Sequence, residues 1–334
     1  MSFKGKSYLV TGGTGFIGAG LVKALVAAGA KVRSLDNNSR GSKDKLGEAA
    51  NHVELVEGDI RDAATVARAA KGIDAVCHLA YVNGTEFFYT RPELILEVAV
   101  KGMMNVIDAC LANHIPELVL ASSSEVYQTP PSVPTDETAP LIVPDVLNPR
   151  FSYGGGKIIS ELLALNYGRS HISRVVIFRP HNVFGPNMGW EHVIPQFAAR
   201  MRELHRAHAG GVVPFPLQGT GKETRSFIYI EDMVKGVLTV MERGEHMGLY
   251  HIGSGVETSI EHLAREIARC FGREIQIVPG PLQPGSTLRR CPDISRLRAL
   301  GFEPRSSLSQ GLNETVRWYD NNIHLKPEPT AKKV

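Results

Sequence analysis

Three glycines spaced by three, Gly12, Gly15 and Gly18, stand between an apolar run, Tyr8-Leu9-Val10, and an apolar-periodic segment over residues 17–26. The change from a continuous run to a helical period marks a strand, a glycine turn and a helix. The spacing is a G-x-x-G-x-x-G variant of the usual dinucleotide turn. Gly12 permits the tight turn, Gly15 lets a pyrophosphate approach the backbone, and Gly18 lets the helix pack closely on the strand. The helix N-terminus then faces the phosphates. A second apolar run over residues 31–35 ends in Asp36. A carboxylate there accepts hydrogen bonds from both hydroxyls of an adenosine ribose and repels a 2′-phosphate, which favours NAD over NADP.

Further apolar runs, at 53–57, 73–79, 118–122 and 174–178, alternate with helical-period segments at 63–70, 92–112 and 154–167. Such alternation builds a parallel sheet with right-handed crossovers and helices on both faces. The fold class expected is α/β: a Rossmann-type, doubly wound parallel sheet. Residues 1–180 form its nucleotide-binding domain, and later segments return to it. Beyond 180 the pattern loosens. Helices are expected at 193–208, 231–242, 260–271 (capped by Thr258 or Ser259), 294–300 and 308–321. Short strands are expected at 227–230, 249–252 and 274–278, with a strand or loop at 212–220. These pieces, within 181–324, make a smaller α/β substrate lobe, and 325–334 a mobile tail.

Charge and cysteine usage exclude several function classes. The net charge is +3 with no basic block, so no nucleic-acid partner is implied. The four cysteines are too far apart for a metal site or a disulfide framework, which fits buried thiols in a reducing compartment. No apolar run is long enough to span a membrane and no leader pattern opens the chain, so a cytoplasmic enzyme is expected.

Tyr153 and Lys157 are four apart and share one helix face. An ammonium near a phenol favours the phenolate, which can take a proton from a sugar or alcohol hydroxyl as hydride leaves the carbon. Ser122, Ser123 and Ser124 close the fifth strand, at the end of the sheet where ligands bind, and Glu125 follows them.

With those residues in place, the chain resembles the extended short-chain dehydrogenase/reductase family, in its sugar-nucleotide epimerase/dehydratase group. The resemblance covers nearly the whole chain. It rests on Thr11-Gly-Gly-Thr-Gly-Phe-Ile-Gly18, Asp59 after Gly58, His78-Leu-Ala80, Ser122-Ser-Ser-Glu-Val-Tyr127, Tyr153-x-x-x-Lys157, Arg179-Pro-His-Asn-Val-Phe-Gly-Pro186 and Thr224-Arg-Ser-Phe-Ile-Tyr-Ile-Glu-Asp232. It implies NAD held by Gly12, Thr14, Gly15, Phe16, Ile17, Gly18, Asp36, Asn37, Asp59, Ile60, Leu79, Ala80, Pro180 and Val183, together with Tyr153 and Lys157. It implies Ser123, Tyr153 and Lys157 as the catalytic set, with Tyr153 the acid/base. Ser124, Asn182, Arg225 and Arg290 would contact a nucleoside-diphosphate sugar, with Arg289 a competitor for the last place. A homodimer packed through 92–112 and 154–167 is implied as well.

Four departures stand out. Gln128 and Tyr81 replace a usual Gly and a usual Ala, Ala99 replaces a usual Asn, and Gly154-Gly-Gly156 leaves room beside the tyrosine. The shared first step is oxidation at C4 to a transient ketone, and a 4-epimerase is the reaction expected. A 4,6-dehydratase or a uronic acid decarboxylase stays open, because Glu125 supplies the extra acid/base that either needs. A non-catalytic dinucleotide sensor is the remote alternative. His181, Trp190 and His192 are expected to face the sugar without a catalytic role, and Met188-Gly-Trp-Glu-His192 is a candidate for substrate contacts.

Overall fold

A computed structural model describes residues 3–282 and 287–328. In chain order the first half runs β1 (Ser7–Thr11), α1 (Phe16–Ala27), β2 (Lys31–Asp36), β3 (Val53–Glu57), α2 (Ala63–Ala69), β4 (Ala75–His78), α3 (Thr85–Thr90), α4 (Pro92–Glu97), α5 (Met103–Ala112), β5 (Glu117–Ala121), α6 (Ser152–Gly168) and β6 (Arg174–Pro180). The second half runs β7 (Val183–Phe184), α7 (Val193–Ala207), β8 (Val213–Pro216), β9 (Thr224–Arg225), β10 (Ile228–Tyr229), α8 (Ile230–Arg243), β11 (Gly248–Ile252), β12 (Thr258–Ser259), α9 (Ile260–Cys270), β13 (Ile275–Val278), β14 (Arg289–Arg290), α10 (Ser295–Ala299) and α11 (Leu308–Asn321).

Seven strands form one parallel sheet in the order β11-β6-β5-β4-β1-β2-β3. The direction of winding reverses between β1 and β4, and a ligand crevice opens beyond the strand ends at such a point. The sheet takes its seventh strand from the second half. β11 pairs with β6, and α8 packs on α1, so Met233, Val237, Val240, Tyr250 and Ile252 share a core with Val10, Leu21 and Leu25. Val76, Ile107, Leu118 and Ile177 belong to another core of the sheet, and the lobe has a separate one: Phe197 and Met201 of α7, Phe215 of β8, Leu263 and Ile267 of α9, and Leu312 and Val316 of α11.

The expected helix over 92–112 is not one regular helix. α4 passes into α5 through a π turn, Val98–Gly102. Gly102 lies against Ile60, where a Cβ would collide with that side chain. The six-residue α3 was not expected, being too short to show a period. Ser259 caps α9, accepting from the His262 amide at 3.1 Å. Of the expected tail, 329–334 lie outside the described residues, and Leu325 and Pro327 line the main cleft.

Candidate active site

The cleft at the winding reversal has a volume of about 700 Å³. At its nucleotide end Gly12 has φ +71°, and a Cβ there would lie 2.7 Å from the Ala80 amide nitrogen. The ends of β1 and β4 therefore meet only because residue 12 has no side chain. A Cβ on Gly18 would run into the Gly12 carbonyl. Asp36 accepts from the Thr14 amide at 3.0 Å and the Asn38 amide at 2.9 Å, which aims its carboxylate. Thr11 Oγ1 accepts from the Leu79 and Ala80 amides, both at 3.2 Å, and bonds His78 Nδ1 at 2.7 Å. Burial, with Lys157 nearby, pushes His78 down to about 3, so it is a neutral structural imidazole. Asp59 takes two side-chain bonds from Arg61 and one from Asn37; the Arg61 bonds hold its carboxyl at about 2. A glycine cradle that a Cβ would fill, an aimed carboxylate at the end of β2 and an α1 N-terminus facing the crevice together fit a dinucleotide.

At the other end of the cleft, Tyr153 is buried between Tyr81 and Phe88, with ring centroids 5.1 and 5.2 Å away. Burial pushes its phenol up to about 12; the Ser123 hydrogen bond and Arg40 lower it, and Glu125 adds to the rise. Lys157 donates to the Ala121 carbonyl at 2.7 Å, and burial lowers it to about 7 against Glu161. The Glu125 amide donates to Ser123 Oγ at 3.2 Å, and its carboxylate pairs with Arg290. Burial would raise Glu125, but Arg290, with Arg150 and Arg225 behind it, holds it below the usual carboxylate range. It is therefore ionised near neutral pH.

Beneath this floor lies a buried polar layer. Glu161 accepts from Arg179 Nε at 2.8 Å and also from Arg179 Nη2 and Ser122. Arg179 also donates to Tyr127, whose hydroxyl bonds His251 Nε2 at 2.6 Å. The layer fixes α6, β5 and β6 relative to one another, and so fixes where Tyr153 and Ser123 meet.

Nearly all the residues expected at the site line this cleft: Gly12, Gly15, Phe16, Ile17, Gly18, Asp36, Asn37, Asp59, Ile60, Leu79, Ala80, Ser123, Ser124, Glu125, Tyr153, Lys157, Pro180, Asn182 and Val183. Thr14 is buried behind it. Arg225 and Arg290 stand side by side on β9 and β14, behind Glu125, and burial with Arg290 as neighbour lowers Arg225 to about 10. Arg289 points away, paired with Glu257 by two bonds of 2.8 Å. Trp190 and His192 line the cleft, but His181 does not. Its ring is fully buried against His251, 4.9 Å away, which overturns the expectation that it faces the sugar. His181 lies between β6 and β7, where its amide donates to the Ile252 carbonyl at 3.0 Å and so carries the ring against β11, while Asn182, at φ +33°, turns to the cleft.

Arg40 and Arg150 also line the cleft and were not anticipated, and Glu191, within the expected substrate-contact segment, lines it too. Arg40 and Glu191 form an ion pair across its mouth. Arg40 sits on a loop and Arg150 on a single 3-10 turn, Pro149–Phe151, neither long enough for sequence periodicity to carry a signal. The glycine-rich start of α6 has a spatial reason. A Cβ on Gly154 would lie 2.5 Å from Gln128 Nε2, and one on Gly156 would overlap the Tyr81 hydroxyl. Gln128, at φ +51°, bonds the Glu125 carbonyl through that amide at 2.6 Å.

A family model described as NAD dependent epimerase/dehydratase family matches residues 8–253. The chain is 31% identical over 328 residues to the dTDP-4-dehydro-6-deoxy-D-allose reductase of a Streptomyces species, covering 94% of this chain and 96% of that one. It is 30% identical over 321 residues to UDP-glucuronic acid decarboxylase 1 of Arabidopsis thaliana, covering 94% and 70%. Among solved structures it is similar to the dTDP-glucose 4,6-dehydratase DesIV of Streptomyces venezuelae with NAD and TYD bound. There the TM-score is 0.83 at 29% identity, covering 96% and 98%.

Proposed function

Because the chain belongs to the NAD-dependent epimerase/dehydratase family, we propose that it oxidises a nucleoside-diphosphate sugar at C4 and then eliminates water across C5 and C6. The reading carried by the motifs alone, a 4-epimerase, needs only Ser123, Tyr153 and Lys157. The observation that favours elimination is Glu125: an ionised carboxylate in the cleft, bonded to Ser123 through its amide and electrostatically coupled to Tyr153. Bound NAD supplies the hydride acceptor and donor, and its positive charge favours the Tyr153 phenolate. Tyr153 takes the C4 hydroxyl proton, with Ser123 donating to the same oxygen. The C4 ketone acidifies the C5 proton. Glu125 takes that proton and gives it to the departing C6 hydroxyl, so water leaves and a C5–C6 double bond remains; return of the hydride to C6 and of a proton to C5 would then restore NAD and leave a net loss of one water. Arg290 is buried and held by Glu125, so half-buried Arg225 is the charge left for the substrate diphosphate.

Arg150 favours a second reading. It lines the cleft near Glu125 and could hold a carboxylate at C6, so that the same ketone would release carbon dioxide. Product mass over a panel of UDP-, GDP-, CDP- and dTDP-sugars and uronic acids separates the readings. Loss of water supports dehydration, loss of carbon dioxide replaces it with decarboxylation, and an unchanged mass with a shifted retention time restores the epimerase. Glu125→Gln is expected to slow dehydration by about 10²–10⁴-fold with sugar-nucleotide binding retained; unchanged turnover would make Glu125 a bystander.

The proposal extends to assembly. Leu96 of α4 and Ile159 and Leu162 of α6 are exposed on helices that pack together. A second copy covering them gives the expected homodimer. Sedimentation at micromolar concentration should give twice the chain mass, and a monomer there overturns this.

A further inference from the structure

Among the described residues, Lys157 has no carboxylate of its own. Its neighbours can be named element by element. On α6, Glu161 lies one turn on, but Arg179 and Ser122 already occupy its oxygens. Tyr153, one turn back, is a neutral phenol in this state. At the end of β4, His78 is neutral and bonded to Thr11. At the end of β5, the Ala121 carbonyl accepts one Lys157 proton. The remaining neighbour is the ring of Tyr81, whose centroid lies 3.7 Å from Lys157 Nζ.

That distance places the ammonium on the ring face, where the quadrupole is negative and a desolvated cation gains most. The ring is fixed in turn. Its hydroxyl donates to the Tyr153 carbonyl at 3.3 Å, and its edge meets the Tyr153 ring at 80°. The space for it depends on two small residues. A Cβ on Gly156 would overlap the Tyr81 hydroxyl and lie 2.7 Å from Ala99 Cβ. Ala99 sits in the π turn between α4 and α5, where Ser160 of α6 donates to its carbonyl at 3.2 Å. Tyr81, Ala99 and Gly156 are all positions where the sequence departs from the pattern it resembles or is unusually small. Here they form one contact.

We propose that Tyr81 is a positioning residue, whose ring face keeps Lys157 charged and directed along the cleft, in the role a buried carboxylate would otherwise fill. The inference rests on the reading of Tyr153 and Lys157 as the proton-handling pair. With the ring in place, the Tyr153 phenolate and charged Lys157 are favoured over the neutral pair that burial alone would leave. Activity that needs charged Lys157 is lost as pH rises through the lysine pKa, so removing the ring should move the basic limb to lower pH.

The test titrates Lys157 directly in the ligand-free protein. Acetic anhydride acylates the neutral amine only, and peptide mass spectrometry reads the extent at each pH. Wild type and Tyr81→Phe, which keeps the ring and loses the hydroxyl, should share one midpoint. Tyr81→Leu should lower it by about one pH unit, a roughly tenfold rise in the neutral fraction at fixed pH. The basic limb of kcat/KM should move by the same amount. If Tyr81→Leu does not fold, Tyr81→Met, which fills the volume without a π face, gives the same reading. An unmoved midpoint without the ring overturns the inference. So does a Tyr81→Phe shift as large as that of Tyr81→Leu, which would assign the effect to the hydroxyl. The labelling needs no turnover. A shifted midpoint in a protein inactive on every nucleotide sugar would therefore sink the functional reading and leave the contact standing.

Discussion

Tyr153→Phe is expected to lower turnover by about 10²–10⁴-fold while NAD binding is retained. The substitution removes one oxygen and leaves the ring, so the contacts with Tyr81 and Phe88 that seat it persist. What is lost is the atom proposed to take the C4 proton. Ser123 stays within the cleft, but an unassisted hydroxyl is a poor base at neutral pH. Calorimetric NAD binding alongside turnover of the sugar nucleotide identified by product mass checks both halves. A variant that turns over at the wild-type rate would remove Tyr153 from the chemistry. A chain that only sensed dinucleotide would have no turnover to lose.

Glu161→Ala is expected to destabilise the fold by about 3–5 kcal/mol. Glu161 and Arg179 are each 3% exposed at the side chain. Their mutual attraction is partly cancelled by the cost of drying both groups, so the intact pair adds modest net stability. Removing only the carboxylate is different. It strands a guanidinium whose Nε and Nη2 have no other hydrogen-bond acceptor among the described residues and takes the acceptor from Ser122. Reversible urea unfolding measures the loss. A value below about 1 kcal/mol would mean that water or a shifted side chain reaches Arg179, and that the layer under the site is looser than its hydrogen bonds indicate.

Much of this molecule is readable before any coordinate. The turn from Gly12 to Gly18, the carboxylate of Asp36 and the six strands of the first half are local patterns, since strand and helix periods differ within a few residues. Tyr153 and Lys157 are local too, one helical turn apart. What escaped was set at long range. Strand β11 reads as a short apolar run, and nothing in Leu249-Tyr-His-Ile252 says that it joins β6 rather than the lobe. The direction in which His181 points depends on its contact with β11, at Ile252 and His251. Arg40 reaches the cleft from a loop and Arg150 from a single 3-10 turn. Tyr81 was visible as a departure from a pattern, but its partner Lys157 lies 76 positions away (157 − 81) and only the fold brings the two together.

The pairing of β11 with β6 has one more consequence. No single cut divides this molecule into a nucleotide-handling piece and a sugar-handling piece. A fragment ending at 180 would leave β6 as a bare edge, its backbone groups over Gly248–Ile252 unmatched, and would uncover the face of α1 on which α8 lies. The half of the molecule translated first is therefore completed by a strand that leaves the ribosome only after much of the other half. The two ends of the catalytic cleft are built as one piece, and neither can be inherited, swapped or trimmed without the other.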